Sequence, residues 1–129
     1  MWTMLMSTTL AAAPAAGPEQ AVRAFVDAAD TQDVSALQAV LHEDFRVLAR
    51  MPDGWSMLDR ATYLSLIEAG TFGGVKRKTR LDSVQSTGEL ATVVGSLSSK
   101  AATFESSWTV VQVDGAWKVV QDATIFQPK

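Results

Sequence analysis

Residues 102–126 read ATFESSWTVVQVDGAWKVVQDATIF. Asp114-Gly115 separates two runs rich in valine, threonine and aromatics, and a two-residue Asp-Gly between such runs is a strong hairpin signal. The expected strands are Ala102–Val113 and Ala116–Phe126. A two-residue turn fixes the register: Val113 opposite Ala116, Thr109 opposite Val120, Ser107 opposite Asp122, Glu105 opposite Thr124. Alternation then sorts the side chains into two faces. One face carries Glu105, Ser107, Thr109, Val111, Val120, Asp122, Thr124 and Phe126. The other carries Phe104, Trp108, Val110, Trp117, Val119, Ala123 and Ile125, and is the more apolar.

Working outward, two further strands are expected at about Val75–Val84 and Leu90–Ser98, turning at Ser86-Thr87-Gly88. Before them, Asp59 is a good N-cap for a helix over Arg60–Ala69, with Gly70 as its stop. Tyr63, Leu64 and Ile67 form that helix's inner stripe, and Thr71–Gly74 is a glycine-containing loop. A strand precedes the Pro52-Asp53-Gly54 turn, with Phe45, Val47 and Ala49 on one face and Arg46, Leu48 and Arg50 on the other. Pro18 and Glu19 suit the start of a helix whose apolar face is Val22, Phe25, Val26 and Ala29. Thr31-Gln32-Asp33 breaks it. Ser35 can cap a short second helix with Leu37, Val40 and Leu41 inward, closing at His42-Glu43-Asp44. Helices first and strands last argue an α+β fold, with helices on one face of an antiparallel sheet.

The chain has 129 residues, room for one domain, Pro18–Lys129, behind a leader of residues 1–17. It has no cysteine and one histidine, so disulfides, thiol nucleophiles and two-histidine metal sites are excluded. A net charge of −3 argues against general nucleic-acid binding. No P-loop, G-x-G-x-x-G, G-x-S-x-G or H-E-x-x-H occurs, so neither a metal nor a nucleotide cofactor is expected. The leader, MWTMLMSTTLAAAPAAG, is uncharged and ends in small residues and prolines. It resembles the apolar core of a secretory signal, with Ala13-Pro14-Ala15 as an A-x-A site and cleavage before Ala16, although no Lys or Arg precedes the apolar run. The expected location is periplasmic or secreted if Met1–Ala15 is removed, and cytoplasmic if the segment is only a tail. The apolar stretch is too short to suggest a membrane span.

Three segments carry a resemblance. Val22–Asp33 (VRAFVDAADTQD) resembles the first helix and acidic stop of the nuclear transport factor 2-like superfamily. Leu41–Val47 (LHEDFRV) resembles its L-H-x-D-F lead-in to the first strand, and Asp114–Val120 (DGAWKVV) its D-G-x-W-K hairpin. Within the superfamily the chain looks closest to the bacterial lumazine-binding and SnoaL-like branches. The resemblance implies three N-terminal helices packed on a strongly curved, mostly antiparallel sheet, a cystatin-like roll around a pocket. It does not imply a reaction, because the superfamily holds isomerases, dehydratases, cyclases and non-catalytic binders. Laid over ketosteroid isomerase, the oxyanion tyrosine falls on Phe25, the general-base aspartate on Ala49 and the protonated aspartate near Thr109. None of these can do that chemistry. Of the W-K-I-V-H-D-H run found in some relatives, Trp117–Ala123 keeps only the aspartate, Asp122.

Two arrangements of the final hairpin remain open. In one, the Trp-bearing face packs on the helices. In the other, which the resemblance favours, the Asp122 face lines the pocket and the Trp-bearing face is exposed for homodimerisation. The second arrangement gives a wall of Phe25, Ala29, Val47, Ala49, Tyr63, Ile67, Val111, Val120 and Phe126. Its polar groups are Asp122, Ser107, Thr109 and Thr124, with Glu105 a weaker one. The dimer face is then Phe104, Trp108, Val110, Trp117, Val119, Ala123 and Ile125. A carboxylate withdrawn from water can serve as acid or base, so Asp122 is the candidate catalytic residue, and a hydrogen bond to Ser107 is its structural alternative. His42 is expected at a helix C-terminus, and Trp55 either over the pocket mouth or on the surface. Lys76-Arg77-Lys78 and Arg80 read as a charged strand guarding an edge, with anion contact as the alternative. The functional expectation is a dimeric, non-catalytic domain holding a small apolar or amphipathic molecule. A small lyase or isomerase, or a protein-interaction domain, are the alternatives.

Overall fold

The computed structural model describes residues 14–129, so the proposed signal over Met1–Ala15 lies almost wholly outside the described residues. Two helices come first, α1 (Pro18–Asp30) and α2 (Val34–Val40). Strands β1 (Leu41–Met51) and β2 (Gly54–Asp59) follow, then α3 (Arg60–Glu68). The chain ends in β3 (Lys78–Thr87), β4 (Leu90–Ser98), β5 (Ala102–Val113) and β6 (Ala116–Pro128). All six strands form one sheet, ordered β2-β1-β6-β5-β4-β3. Every neighbouring pair is antiparallel except β1 with β6.

Local chemistry sets most boundaries. The Asp59 carboxylate accepts from Thr62 N–H at 2.9 Å and caps α3, as its sequence suggests. For α2 the cap is Asp33, which accepts from Ala36 N–H at 3.1 Å, rather than Ser35. The Asp114-Gly115 turn has φ of 51° and 81°, both left-handed, as a type I′ hairpin requires.

Several expectations need correction. The third helix follows β1, as the order of the residues has it, so the three helices are not all N-terminal to the sheet as the resemblance implies. Residues 41–44 extend β1 and do not close α2, because Leu41 pairs with Val119 on β6. His42 is therefore a strand residue whose Nδ1 accepts from Asp44 N–H at 3.0 Å. Gly54–Asp59 forms a strand not expected from the sequence. Trp55 sits on it opposite Arg50, 61% exposed and on the sheet's outer surface.

The largest departure is inside the final hairpin. Val110 pairs with Val119, yet Thr109 pairs with Gln121, so Val120 is an extra residue in β6. This β-bulge shifts every later pairing by one: Trp108 meets Asp122, Ser106 meets Thr124 and Phe104 meets Phe126. Because side chains alternate with period two, the inner face of β6 switches at the bulge from Trp117 and Val119 to Asp122, Thr124 and Phe126. A second irregularity, between Leu81 and Ser83 on β3, lies across from Gly95. A side chain on Gly95 would strike the Arg80 carbonyl oxygen, so only glycine allows the strands to bend so closely there. Bulges bend the strand that holds them and raise local twist, which curves this sheet around the helices.

Both tryptophans of the hairpin are therefore core. Trp108 and Val110 are 0% exposed, Trp117 8% and Val119 0%. They form one cluster with Val22, Phe25, Leu37 and Phe45 beneath the helices. These four hairpin residues cannot belong to an exposed dimer face.

Candidate functional site

Below the bulge the sheet and helices part, leaving a cavity of about 640 Å³. Pockets for small molecules commonly fall between about 300 and 1,000 Å³. Its wall takes Phe25 and Ala29 from α1, Tyr63 and Ile67 from α3, and Val47, Ala49 and Met51 from β1. Phe104 comes from β5, and Asp122, Thr124 and Phe126 come from β6. Thus nine expected pocket residues meet here: Phe25, Ala29, Val47, Ala49, Tyr63, Ile67, Asp122, Thr124 and Phe126. Ser107, Thr109, Val111 and Val120 do not line it; the first three alternate to the sheet's other face and Val120 is the bulge itself. Glu105 is exposed, opposite Ile125. Phe104, assigned by sequence to the dimer face, lines the hollow and packs edge-on against Phe126 with ring centroids 5.3 Å apart. Of the expected dimer residues, Ala123 and Ile125 alone lie on the outer face, where Ile125 is 44% exposed. A second, more open depression of about 470 Å³ lies beside the start of α1, and none of the unpartnered buried polar atoms among the described residues belongs to its lining.

Asp122 stands in an apolar row. Its register partners are Val47 on β1 and Trp108 on β5. Its Oδ1 is shut off from solvent without a hydrogen-bond partner among the described residues, and so is the Trp108 indole Nε1. Such orphaned buried atoms are rare in folded proteins and call for an explanation. Burial raises the Asp122 carboxyl from 3.8 to about 7, the Arg77 charge and the nearby indole N–H offsetting part of the effect. The surface that Asp122 retains faces the hollow it lines. No bond to Ser107 forms, because the bulge places Ala123 opposite Ser107.

Tyr63 lies beside this carboxyl. Burial, and then the Asp122 charge, raise its hydroxyl well above its ordinary 10.0, so it keeps its proton. Its ring packs against Phe25, Phe45 and Phe72, at centroid distances of 6.1, 5.3 and 6.3 Å. Thr124 is 8% exposed, and its Oγ1 accepts a hydrogen bond from Ser106 Oγ at 2.8 Å. The floor thus offers one carboxyl and two hydroxyls within an aromatic and aliphatic wall.

The mouth is built by the loop from Thr71 to Arg77 and the turn at Ser99–Ala101. Gln32, at φ 56°, donates from Nε2 to the Phe72 carbonyl at 2.9 Å. Asp30 accepts from Arg77 Nε at 2.7 Å and from Arg77 backbone N–H at 2.9 Å. The end of α1 therefore straps the loop in place. Sequence reading put Lys76 and Arg77 on a guarding strand. Here β3 begins only at Lys78, and both residues join the rim of the cavity. Lys100, Met51, Phe72 and Val75 were also missed. Glycines on one side of 76–77 and the Asp30 partner 47 residues away leave no short-range signal for that placement. Among the described residues no group of three or more acids and histidines is arranged to hold a metal, and no helix is long and apolar enough to cross a membrane.

The family described as "Putative lumazine-binding" matches residues 14–123, and the chain belongs to it. Solved structures agree on the wider fold. One is an NTF2-like protein of unknown function from Silicibacter pomeroyi, 17% identical, covering 98% of this chain and 100% of its own, with a TM-score of 0.73. Another NTF2-like protein of unknown function, from Shewanella baltica, is 12% identical over 86% of this chain and 91% of its own, TM-score 0.74. A protein with a cystatin-like fold from Nostoc punctiforme is 15% identical over 86% of this chain and 89% of its own, TM-score 0.71. No curated protein matches. The nuclear transport factor 2-like fold is thereby established for this chain.

Proposed function

We propose that this domain holds a small, largely apolar molecule in the hollow, with Asp122 as its polar anchor. The observation that carries the reading is the Asp122 carboxyl, its Oδ1 shut off from solvent, on the floor of a cavity of ligand size. A group so placed costs stability unless something uses it. Near neutral pH the carboxyl can donate or accept a hydrogen bond, as a carbonyl- or hydroxyl-bearing ligand would require. N-phenyl-1-naphthylamine, a neutral fluorophore that brightens in apolar surroundings, tests this. It is expected to bind saturably to the native protein and to be excluded by Ala49→Trp, or by the milder Ala49→Leu, with the fold intact by circular dichroism. Undiminished binding by folded variants of both kinds would refute the site. Lumazine, the ligand in the family's description, is a second probe, and its displacement of the fluorophore would identify the ligand class.

A second reading, catalysis, is favoured by one observation. A carboxyl titrating at about 7 is matched to proton transfer at neutral pH. In that reading Asp122 is the acid or base of a lyase or isomerase. Asp122→Asn would then abolish turnover of a bound substrate while retaining its binding.

The homodimer expected from sequence now needs a different surface. The outer sheet face exposes Trp55 (61%), Met57 (63%), Ile125 (44%) and Val94 (39%). Apolar groups spread over one sheet face favour a self-complementary contact between two copies. Light scattering should give the mass of a dimer, and Ile125→Glu with Met57→Glu should give a monomer. A wild-type monomer at high concentration would dismiss this pairing.

A further inference from the structure

The floor of the hollow is acidic, but its mouth is basic. Lys76, Arg77 and Lys100 line the rim, and Asp122 is the one acid among the lining residues. This runs against the chain as a whole, which carries −3. Neither Lys76 nor Lys100 takes part in the ion pairs of the described residues. Arg77 is held by Asp30 through its Nε and backbone N–H, and its guanidinium carbon lies 5.1 Å from the centre of the Phe104 ring. That grip fixes the guanidinium while its terminal nitrogens make no hydrogen bond among the described residues. The Arg77 charge reaches inward, since it acts on both Asp122 and Tyr63. Between rim and floor the wall is apolar, with Phe104 and Phe126 edge to face.

We propose that the ligand is an anionic amphiphile. Its hydrocarbon or ring body, bearing a carbonyl or hydroxyl for Asp122, fills the hollow, and its carboxylate or other acidic head is held at the mouth by Lys76, Arg77 and Lys100. This rests on the reading of the hollow as a binding site and specifies its ligand class. The polarity of the site sets the direction of entry. An acidic head driven to the floor would face the Asp122 carboxyl in apolar surroundings, where like charges and lost hydration both oppose it. At the rim the same head meets the charges of Lys76 and Lys100 and the free guanidinium N–H donors of Arg77, whose own charge Asp30 offsets, and keeps part of its water. Exposed charge pairs contribute modestly each, so the two lysines together should favour an acidic head by about tenfold over a neutral one.

Displacement of N-phenyl-1-naphthylamine by decanoate, decanol and decyltrimethylammonium at low salt tests the assignment. Decanoate is expected to bind about tenfold more tightly than decanol, with the cation weakest. The double variant Lys76→Gln with Lys100→Gln should bring decanoate towards decanol and leave decanol unchanged, and high salt should do the same to the native protein. Decanol binding as well as decanoate, or a double variant that weakens both alike, overturns the head-group assignment while the hollow remains a binding site. A fluorophore that never enters the hollow removes the binding reading itself, and this proposal with it.

Discussion

Trp108→Ala is expected to cost about 3–5 kcal/mol of folding stability, enough to lower the melting temperature by roughly 10–20 °C. Trp108 is 0% exposed and among the largest side chains buried in the molecule. It stands at the centre of the sheet's inner face, between Val93 on β4 and Asp122 on β6. Truncation removes its buried area and leaves a hole that rigid strands on both sides cannot close. Such a loss is a large part of the roughly 5–15 kcal/mol that holds a domain together. Thermal unfolding followed by circular dichroism measures it. A change within about 0.5 kcal/mol, the usual range for a surface substitution, would return Trp108 to an outer face and undo the register described above.

Asp122→Asn is expected to stabilise the protein at pH 8 and to do so by less than half as much at pH 5. The sign follows from the proton balance. Burial raises this carboxyl from 3.8 to about 7, so between those values the folded protein keeps a proton that the unfolded chain has lost. Stability therefore falls as pH rises from about 4 to about 7, then levels off. The full penalty is on the order of 4 kcal/mol, and an asparagine, which never ionises, should recover about 2–4 kcal/mol of it above pH 7. Urea unfolding of both proteins at pH 5 and pH 8 checks the difference. A gain equal at the two pH values would mean the carboxyl does not titrate abnormally. Stabilisation on removing a native residue would also fit a group kept for its function at a cost in stability.

Features governed by local chemistry were legible in the sequence. Asp114-Gly115 demands two left-handed residues in a row and obtains them. Asp59 caps α3 through a hydrogen bond within four residues. The bounds of β4 and β5 also follow from composition and turns. What could not be read is set by tertiary contact. Val120 is one extra residue in a strand of continuous β-formers, and its neighbours Val119 and Gln121 would suit an unbroken ladder equally well. The odd positions Trp117, Val119, Ala123 and Ile125 are apolar on both sides of the bulge, with Gln121 the single exception, so alternation alone does not mark it. Its consequence is that each of the two hairpin arrangements open from sequence is half realised. The tryptophans lie under the helices, and Asp122 still faces the hollow. Residues 41–44 likewise took strand because Leu41 meets Val119 and not through any local preference. The basic rim depends on Asp30 reaching a loop 47 residues away, which no short window contains.

A carboxyl withdrawn from water at the bottom of an apolar hollow underlies the stability, the ligand and the proton chemistry argued above. Carbon-13 NMR of side-chain carboxyl groups, with Asp122→Asn to assign the signal, reads that state directly. The Asp122 resonance should titrate with a midpoint near 7 and move when decanoate fills the cavity. A midpoint near 4, unaffected by any amphiphile, would place the group in water and contradict the account.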